Sequence, residues 1–184
     1  MDFRKHAYVL AIVDCLHEHG SWTGKTHVQK SLSLLRDRRQ VEVPFDFVLY
    51  RHGPYSFEVE SALEEMRSYG AIEIEPVPGY GVVLRRGPMA RYVTDQGQLS
   101  KIEIEAINQV CKYVDGRNVL ELERLATASW IRVRENVGFS PEVVKRLISL
   151  KPHISAAEAE KADSDVATWL AGQASLVVTQ PIQS

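Results

Sequence analysis

Gly70-Ala71-Ile72-Glu73-Ile74-Glu75-Pro76-Val77-Pro78-Gly79-Tyr80-Gly81-Val82-Val83-Leu84-Arg85-Arg86 is the stretch that decides the fold. Ile72 to Glu75 alternates apolar and acidic side chains, the period of a half-buried strand. Pro76 to Gly81 supplies a turn, and Val82 to Arg86 returns as a second strand. The hairpin is decisive because of what precedes it. Val9, Ile12, Val13 and Leu16 follow helical spacing, and Gly20 ends that run. After the turn at Ser21-Trp22-Thr23-Gly24, Val28, Leu32 and Leu35 share one face of a second helix. Thr23 or Thr26 is expected near its cap. It ends in Arg36-Asp37-Arg38-Arg39. Val41 to Tyr50 reads as an extended segment with a strand near Phe47-Val48-Leu49. Pro54 suits the first turn of a third helix, in which Val59, Ala62, Leu63 and Met66 form the apolar face and Gly70 the end. Three helices and then a hairpin is the winged-helix order, and short sequential connections leave few alternatives.

Downstream of the hairpin, Arg91-Tyr92-Val93-Thr94 is expected to add a short third strand. The remainder is helical. Ser100 with Glu103, and Asn118 with Glu121, have capping-box spacing ahead of apolar helical patterns. Ser140-Pro141 begins another helix, and Ser155 with Glu158 opens the last. The expected fold is therefore α+β and mainly helical. A winged helix-turn-helix domain covers 1–97, a helical region packed on it covers 98–172, and 173–184 is a tail.

Composition narrows the functional classes. The 184 residues are 45% apolar and 25% charged, ordinary values for a domain with a proper core. Net charge is −2, so any nucleic-acid binding must come from a local basic patch. Cys15 and Cys111 are the only cysteines and sit in apolar helical patterns, which suits free thiols in a reducing compartment. The first apolar run is short and interrupted by Asp14, unlike a secretory signal. No segment approaches the length needed to span a bilayer. A cytoplasmic location without membrane partners is expected.

Two longer segments carry a resemblance. Gly24-Lys25-Thr26-His27-Val28-Gln29-Lys30 begins the second helix, and Phe45-Asp46-Phe47-Val48-Leu49-Tyr50-Arg51-His52-Gly53-Pro54-Tyr55-Ser56 follows. Together they resemble the YwgA-like bacterial proteins. They are more distantly similar to the Panacea domain of antitoxins, which carries a comparable Gln-Lys helix and Tyr-Gly-Pro element. Leu120 to Thr127 and Leu150-Lys151-Pro152 resemble that group's helical C-terminal part. Tyr92-Val93-Thr94-Asp95-Gln96-Gly97 also looks like a signature that follows the wing in bacterial winged-helix regulators, where the threonine caps the next helix. The resemblance implies a small regulatory or interaction protein of the toxin–antitoxin or phage-defence kind. It implies no activity and no functional residues.

The chemical motifs do not reach their required context. Gly20 and Gly24 enclose three residues where a phosphate loop needs four, and a helix rather than a strand precedes them. His17-Glu18-His19 are adjacent on a helix and point apart, unlike the zinc-binding His pair at i and i+4. His52, with Asp46 in reach across a turn, has no recognisable nucleophile beside it. Arg51-His52-Gly53-Pro54-Tyr55 reads as a structural turn element, with Tyr55 as its anchor. No catalytic residue, metal ligand or cofactor is expected.

Charge separates the remaining functions. The third helix, which reads DNA in this fold, carries Glu58, Glu60, Glu64 and Glu65 against Arg67. Phosphates repel such a face. The second helix and the wing are basic, so Lys25, His27, Lys30, Arg36, Arg38, Arg39, Arg85 and Arg86 are the candidate contacts to a partner. Two functions stay open: a non-enzymatic protein-interaction module of antitoxin or adaptor type, and a DNA-binding regulator using that basic surface. Trp130 and Trp169 lie in apolar patterns of the C-terminal helices. By fold analogy such helices serve self-association, so a homo-oligomer stands beside a second protein and nucleic acid among the partners.

Overall fold

A computed structural model describes residues 1–38, 41–79 and 81–172. Arg39 and the expected tail at 173–184 lie outside the described residues. The described residues form a mainly helical structure with two separate two-stranded antiparallel sheets. Contacts divide the chain into two compact units, Met1–Glu123 and Arg124–Ser184.

Helix α1 (Phe3–Glu18) starts where the Asp2 carboxylate accepts the Arg4 and Lys5 N–H groups at 3.0 and 3.1 Å. Tyr8, Leu10, Ile12 and Leu16 are fully buried along it. Its end is set by Gly20, whose φ of +73° is a conformation that costs glycine little. Helix α2 (Lys25–Asp37) is buried around most of its circumference. Its N-cap is Gly24, without a side-chain bond, and Thr23 and Thr26 flank it near the cap, as expected. Thr23 is drawn elsewhere: its hydroxyl donates to the Leu84 carbonyl at 2.8 Å, and its carbonyl accepts from Leu84 N at 3.1 Å.

Strands β1 (Val48–Tyr50) and β2 (Gly53–Tyr55) pair antiparallel, with Val48 opposite Tyr55 and Tyr50 opposite Gly53. Pro54 therefore belongs to a strand, which corrects its expected place in the first turn of a helix. Helix α3 (Phe57–Ser68) begins later, with Ser56 Oγ accepting from Val59 N at 3.2 Å. Strands β3 (Ile72–Val77) and β4 (Gly81–Arg86) form the expected hairpin, from Ile72 opposite Arg86 to Val77 opposite Gly81, but Pro76, Val77 and Gly81, expected in its turn, pair as strand residues instead.

The expected strand at 91–94 is instead helix α4 (Ala90–Gly97). Ala90, Val93 and Gly97 lie on one helical face and are buried, and α4 packs on α1. A Cβ on Gly97 would stand 2.3 Å from Ala7 Cβ and 2.4 Å from the Phe3 carbonyl oxygen, so only glycine permits this approach. Thr94 donates back to the Ala90 carbonyl at 3.1 Å and caps nothing. The cap of helix α5 (Lys101–Val114) is Ser100, in a complete capping box with Glu103. Helix α5 packs on α1 and α2 within the first unit.

Glu103 also ties α5 to α1. It accepts hydrogen bonds from Tyr8 and Arg4, besides the Ser100 N–H at 2.8 Å. Burial pushes the carboxyl up, but these bonds together outweigh it and hold the pKa down at about 2. Helix α6 (Val119–Val133) opens with Asn118 and Glu121 capping each other reciprocally at 3.0 and 2.9 Å.

In the second unit, helices α7 (Ser140–Leu150) and α8 (Ala156–Ala171) pack together, burying Val143, Leu147, Ala159, Ala162 and Val166. Pro141 stands in the first turn of α7, and Ser155 and Glu158 complete the capping box of α8. Arg132 grips the buried Asp163 through two N–H···O bonds of 2.6 and 2.9 Å. Trp130 and Trp169 are each only half-buried.

Candidate functional site

The two segments that carry the resemblance meet in space. Gln29, on α2, faces Ser56 at the start of α3. Its amide Nε2 donates to the Ser56 carbonyl at 2.9 Å, and its Oε1 accepts the Ser56 N–H at 3.0 Å. A side-chain amide here completes the backbone bonding of a buried residue, as a neighbouring strand would. Lys30 Nζ donates to the Pro54 carbonyl at 2.8 Å. Lys30 is 2% exposed. A buried ammonium is costly unless paired, so this bond explains why Pro54 is held extended rather than helical. Gly53 turns the hairpin with φ +89°, a conformation that favours glycine.

This junction forms a cleft of about 420 Å³. Gln29 and Lys30 line it, with Lys25 on one side and Tyr50, His52 and Tyr55 of the hairpin on the other. Lys25 Nζ binds Glu60 and Glu64 of α3 at 2.6 and 2.9 Å. Burial opposes its charge, but the two carboxylates outweigh that and hold its pKa above the usual lysine value. His52 Nδ1 lies 3.3 Å from Oε1 of the buried Glu123. Beside the cleft, Tyr50, Tyr55 and Phe57 form an aromatic cluster. Ring centroids are 6.0 Å apart for Tyr50 and Tyr55, 5.1 Å for Tyr55 and Phe57, and 6.2 Å for Tyr50 and Phe57. Tyr50 and Phe57 are each 61% exposed, and Val48 is exposed next to them on the same face of β1.

The candidate basic contacts do not merge into one stripe. Lys25 is committed to two glutamates, and Lys30 is buried. His27 is buried, with Nε2 3.2 Å from the Arg117 carbonyl; burial lowers its pKa and disfavours the cation. Arg36 lies 3.3 Å from Asp46 and stacks over Phe47. Arg38 is 6% exposed, and burial lowers its pKa against the opposing charge of Glu105. Arg39 lies outside the described residues. On the hairpin, Arg85 bonds Glu75 at 2.6 Å and Arg86 bonds Asp14. In the turn element, Arg51 and His52 are exposed, Gly53 and Pro54 are buried, and Tyr55 is half-buried.

Sequence reasoning did not single out Gln29, Glu123, or the aromatic cluster. Gln29 had a signal, since it stood beside Lys30 in a quoted motif. Glu123 had none, because its partner His52 comes from a distant segment. Among the described residues, no group of His, Cys, Asp and Glu is arranged to hold a metal ion. No described helix is long and apolar enough to cross a membrane. No protein-family model matches the chain, and no curated protein matches it.

Proposed function

We propose that this chain is a non-enzymatic, cytoplasmic protein-interaction module on a winged-helix frame, an adaptor or antitoxin in the manner of the YwgA-like and Panacea groups. Three helices precede the β3–β4 hairpin, and the Thr23 backbone pairs with Leu84 of β4 as a short third strand of a wing would. The Gln-Lys and Gly-Pro-Tyr-Ser motifs bind one another, which supports treating them as one structural device rather than two binding sites.

The observation that carries the proposal is the exposed aromatic surface of Val48, Tyr50 and Phe57 beside the cleft. Large apolar side chains gathered on a surface suit a protein contact, and tyrosine supplies contact area at low entropic cost. The partner is a protein that places apolar side chains over Tyr50 and Phe57. DNA binding has less support, because the described cations it would use are paired with carboxylates or buried. Cations already neutralised release little counterion energy on meeting phosphate.

Affinity purification of the chain under native conditions, followed by reconstitution with the recovered protein, tests this. The complex is expected to persist in moderate salt. Tyr50→Ala with Phe57→Ala is expected to weaken it by roughly thirty-fold or more, about 2 kcal/mol. Unchanged affinity in the double variant overturns the assignment of this surface. A salt-sensitive complex with duplex DNA, and none with protein, overturns the function.

A further inference from the structure

Cys15 and Cys111 are far apart in the chain, yet α1 and α5 pack together, and the Cys15 thiol bonds Asn108, one helical turn before Cys111 on α5. Their surroundings differ. Cys15 lies on the wall of a cleft of about 290 Å³, among Ala11, Asp14, Arg86, Gln98 and Asn108. Its S–H donates to Asn108 Oδ1 at 3.2 Å, and His19 Nδ1 lies 3.9 Å from its sulfur. Cys111 is off the cleft lining and has no exposed surface. Cys15, 4% exposed, therefore lines a surface cleft, whereas Cys111 is fully buried. That is the arrangement of an attacking thiol and a resolving thiol.

We propose that Cys15 and Cys111 form a reactive dithiol, in which a small hydroperoxide oxidises Cys15 and Cys111 closes an intramolecular disulfide. The Cys15 thiolate attacks the terminal oxygen of the hydroperoxide. The O–O bond breaks, the leaving oxygen takes a proton and departs as an alcohol or water, and Cys15 becomes a sulfenic acid. Cys111 then loses its proton and its sulfur attacks Cys15. The S–O bond breaks, the hydroxide leaves as water with that proton, and the S–S bond forms. The hydroperoxide is reduced by two electrons, and two thiols become one disulfide. The local chemistry supports this order. The Cys111 contact, with His19 adding to it, outweighs burial and holds the Cys15 thiol below the usual range. Cys111 is pushed the other way, by its contact with Cys15 and then by burial.

The test uses the full reduced chain and one equivalent of hydrogen peroxide. Free thiols are then alkylated in denaturant, and intact mass and disulfide-linked peptides are measured. The expected product has lost two hydrogens, takes up no alkylating agent, and yields a Cys15–Cys111 peptide. Cys111→Ser is expected to leave Cys15 as a sulfenic acid trapped by dimedone. Cys15→Ser is expected to slow oxidation of Cys111 by about tenfold or more. The proposal is overturned if the folded wild-type chain keeps two alkylatable thiols, or if its disulfides join separate chains. It is equally overturned if a folded Cys15→Ser variant, checked by circular dichroism, oxidises as fast as wild type. The wild-type result decides alone should either variant fail to fold.

Discussion

Helix α2 and the β1–β2 hairpin invert what their sequences advertise. The helix is rich in charged and polar side chains, yet His27, Gln29, Lys30, Ser31, Ser33, Asp37 and Arg38 are all buried. The hairpin and the residue that opens α3 are apolar and aromatic, yet Val48, Tyr50 and Phe57 face solvent. A polar side chain is stable inside when the neighbouring backbone needs its bonds. An apolar side chain stays outside when no intramolecular surface covers it. The lesson concerns partners: Gln29 and Lys30 of α2 have found theirs within the chain, although buried His27 Nδ1 and Ser31 Oγ have none, whereas the aromatic cluster faces solvent.

The strongest way to break that contrast is to remove the partner of a buried polar group. Gln29→Leu leaves the Ser56 N–H and carbonyl without their amide. It is expected to cost about 3 kcal/mol, read as a lower midpoint in urea unfolding, because each orphaned buried group carries its own desolvation penalty. A loss within experimental error would mean that the clasp between α2 and α3 does not stabilise the fold.

Glu103 extends the contrast to α1 and α5. Glu103→Gln keeps the shape but weakens the bonds from Arg4 and Tyr8, and is expected to cost about 1–2 kcal/mol near neutral pH. The pH dependence has a definite sign. The folded pKa of about 2 lies below the unfolded value, so the charged form stabilises the fold. That contribution is complete above the ordinary glutamate value of about 4.3 and disappears as pH falls through the folded pKa. The difference between wild type and Glu103→Gln should therefore shrink in acid. Denaturant melts across this window would reveal a difference that stays constant instead.

The aromatic surface should respond in the opposite way. Tyr50→Ala with Phe57→Ala, so damaging to the proposed complex, is expected to change folding stability by less than about 1 kcal/mol, since both rings are largely solvated. A large fall in the melting temperature would make them structural and dissolve the comparison. The smallest effect is expected at Arg85→Ala. Its exposed pair with Glu75 is worth under about 1 kcal/mol, and thermal melts in low and high salt should barely separate the variant from wild type.

Local signals were legible before the fold was seen. The Ser100, Asn118 and Ser155 caps, the stop at Gly20 and the presence of the β3–β4 hairpin all depend on residues within a short stretch of chain. The failures share a cause. Thr23 stands beside the α2 cap as expected, but that its hydroxyl pairs with Leu84 depends on where β4 lies. The 90–97 segment has enough β-branched and aromatic character to suggest a strand, but Gly97 lets it approach α1 as a helix. Pro54 has the right φ for a helix start, yet Lys30 claims its carbonyl for an extended turn.

Sequence alone determined the order of helices and hairpin, the caps, and the absence of any local phosphate-loop or zinc-site motif, because those rest on short-range geometry and residue type. Tertiary structure decided which charges are spent inside the molecule, which aromatic side chains remain uncovered, and that the helices carrying Cys15 and Cys111 pack together. Each of those depends on distant segments converging, and no spacing along the chain encodes the distance between two helices once they have packed.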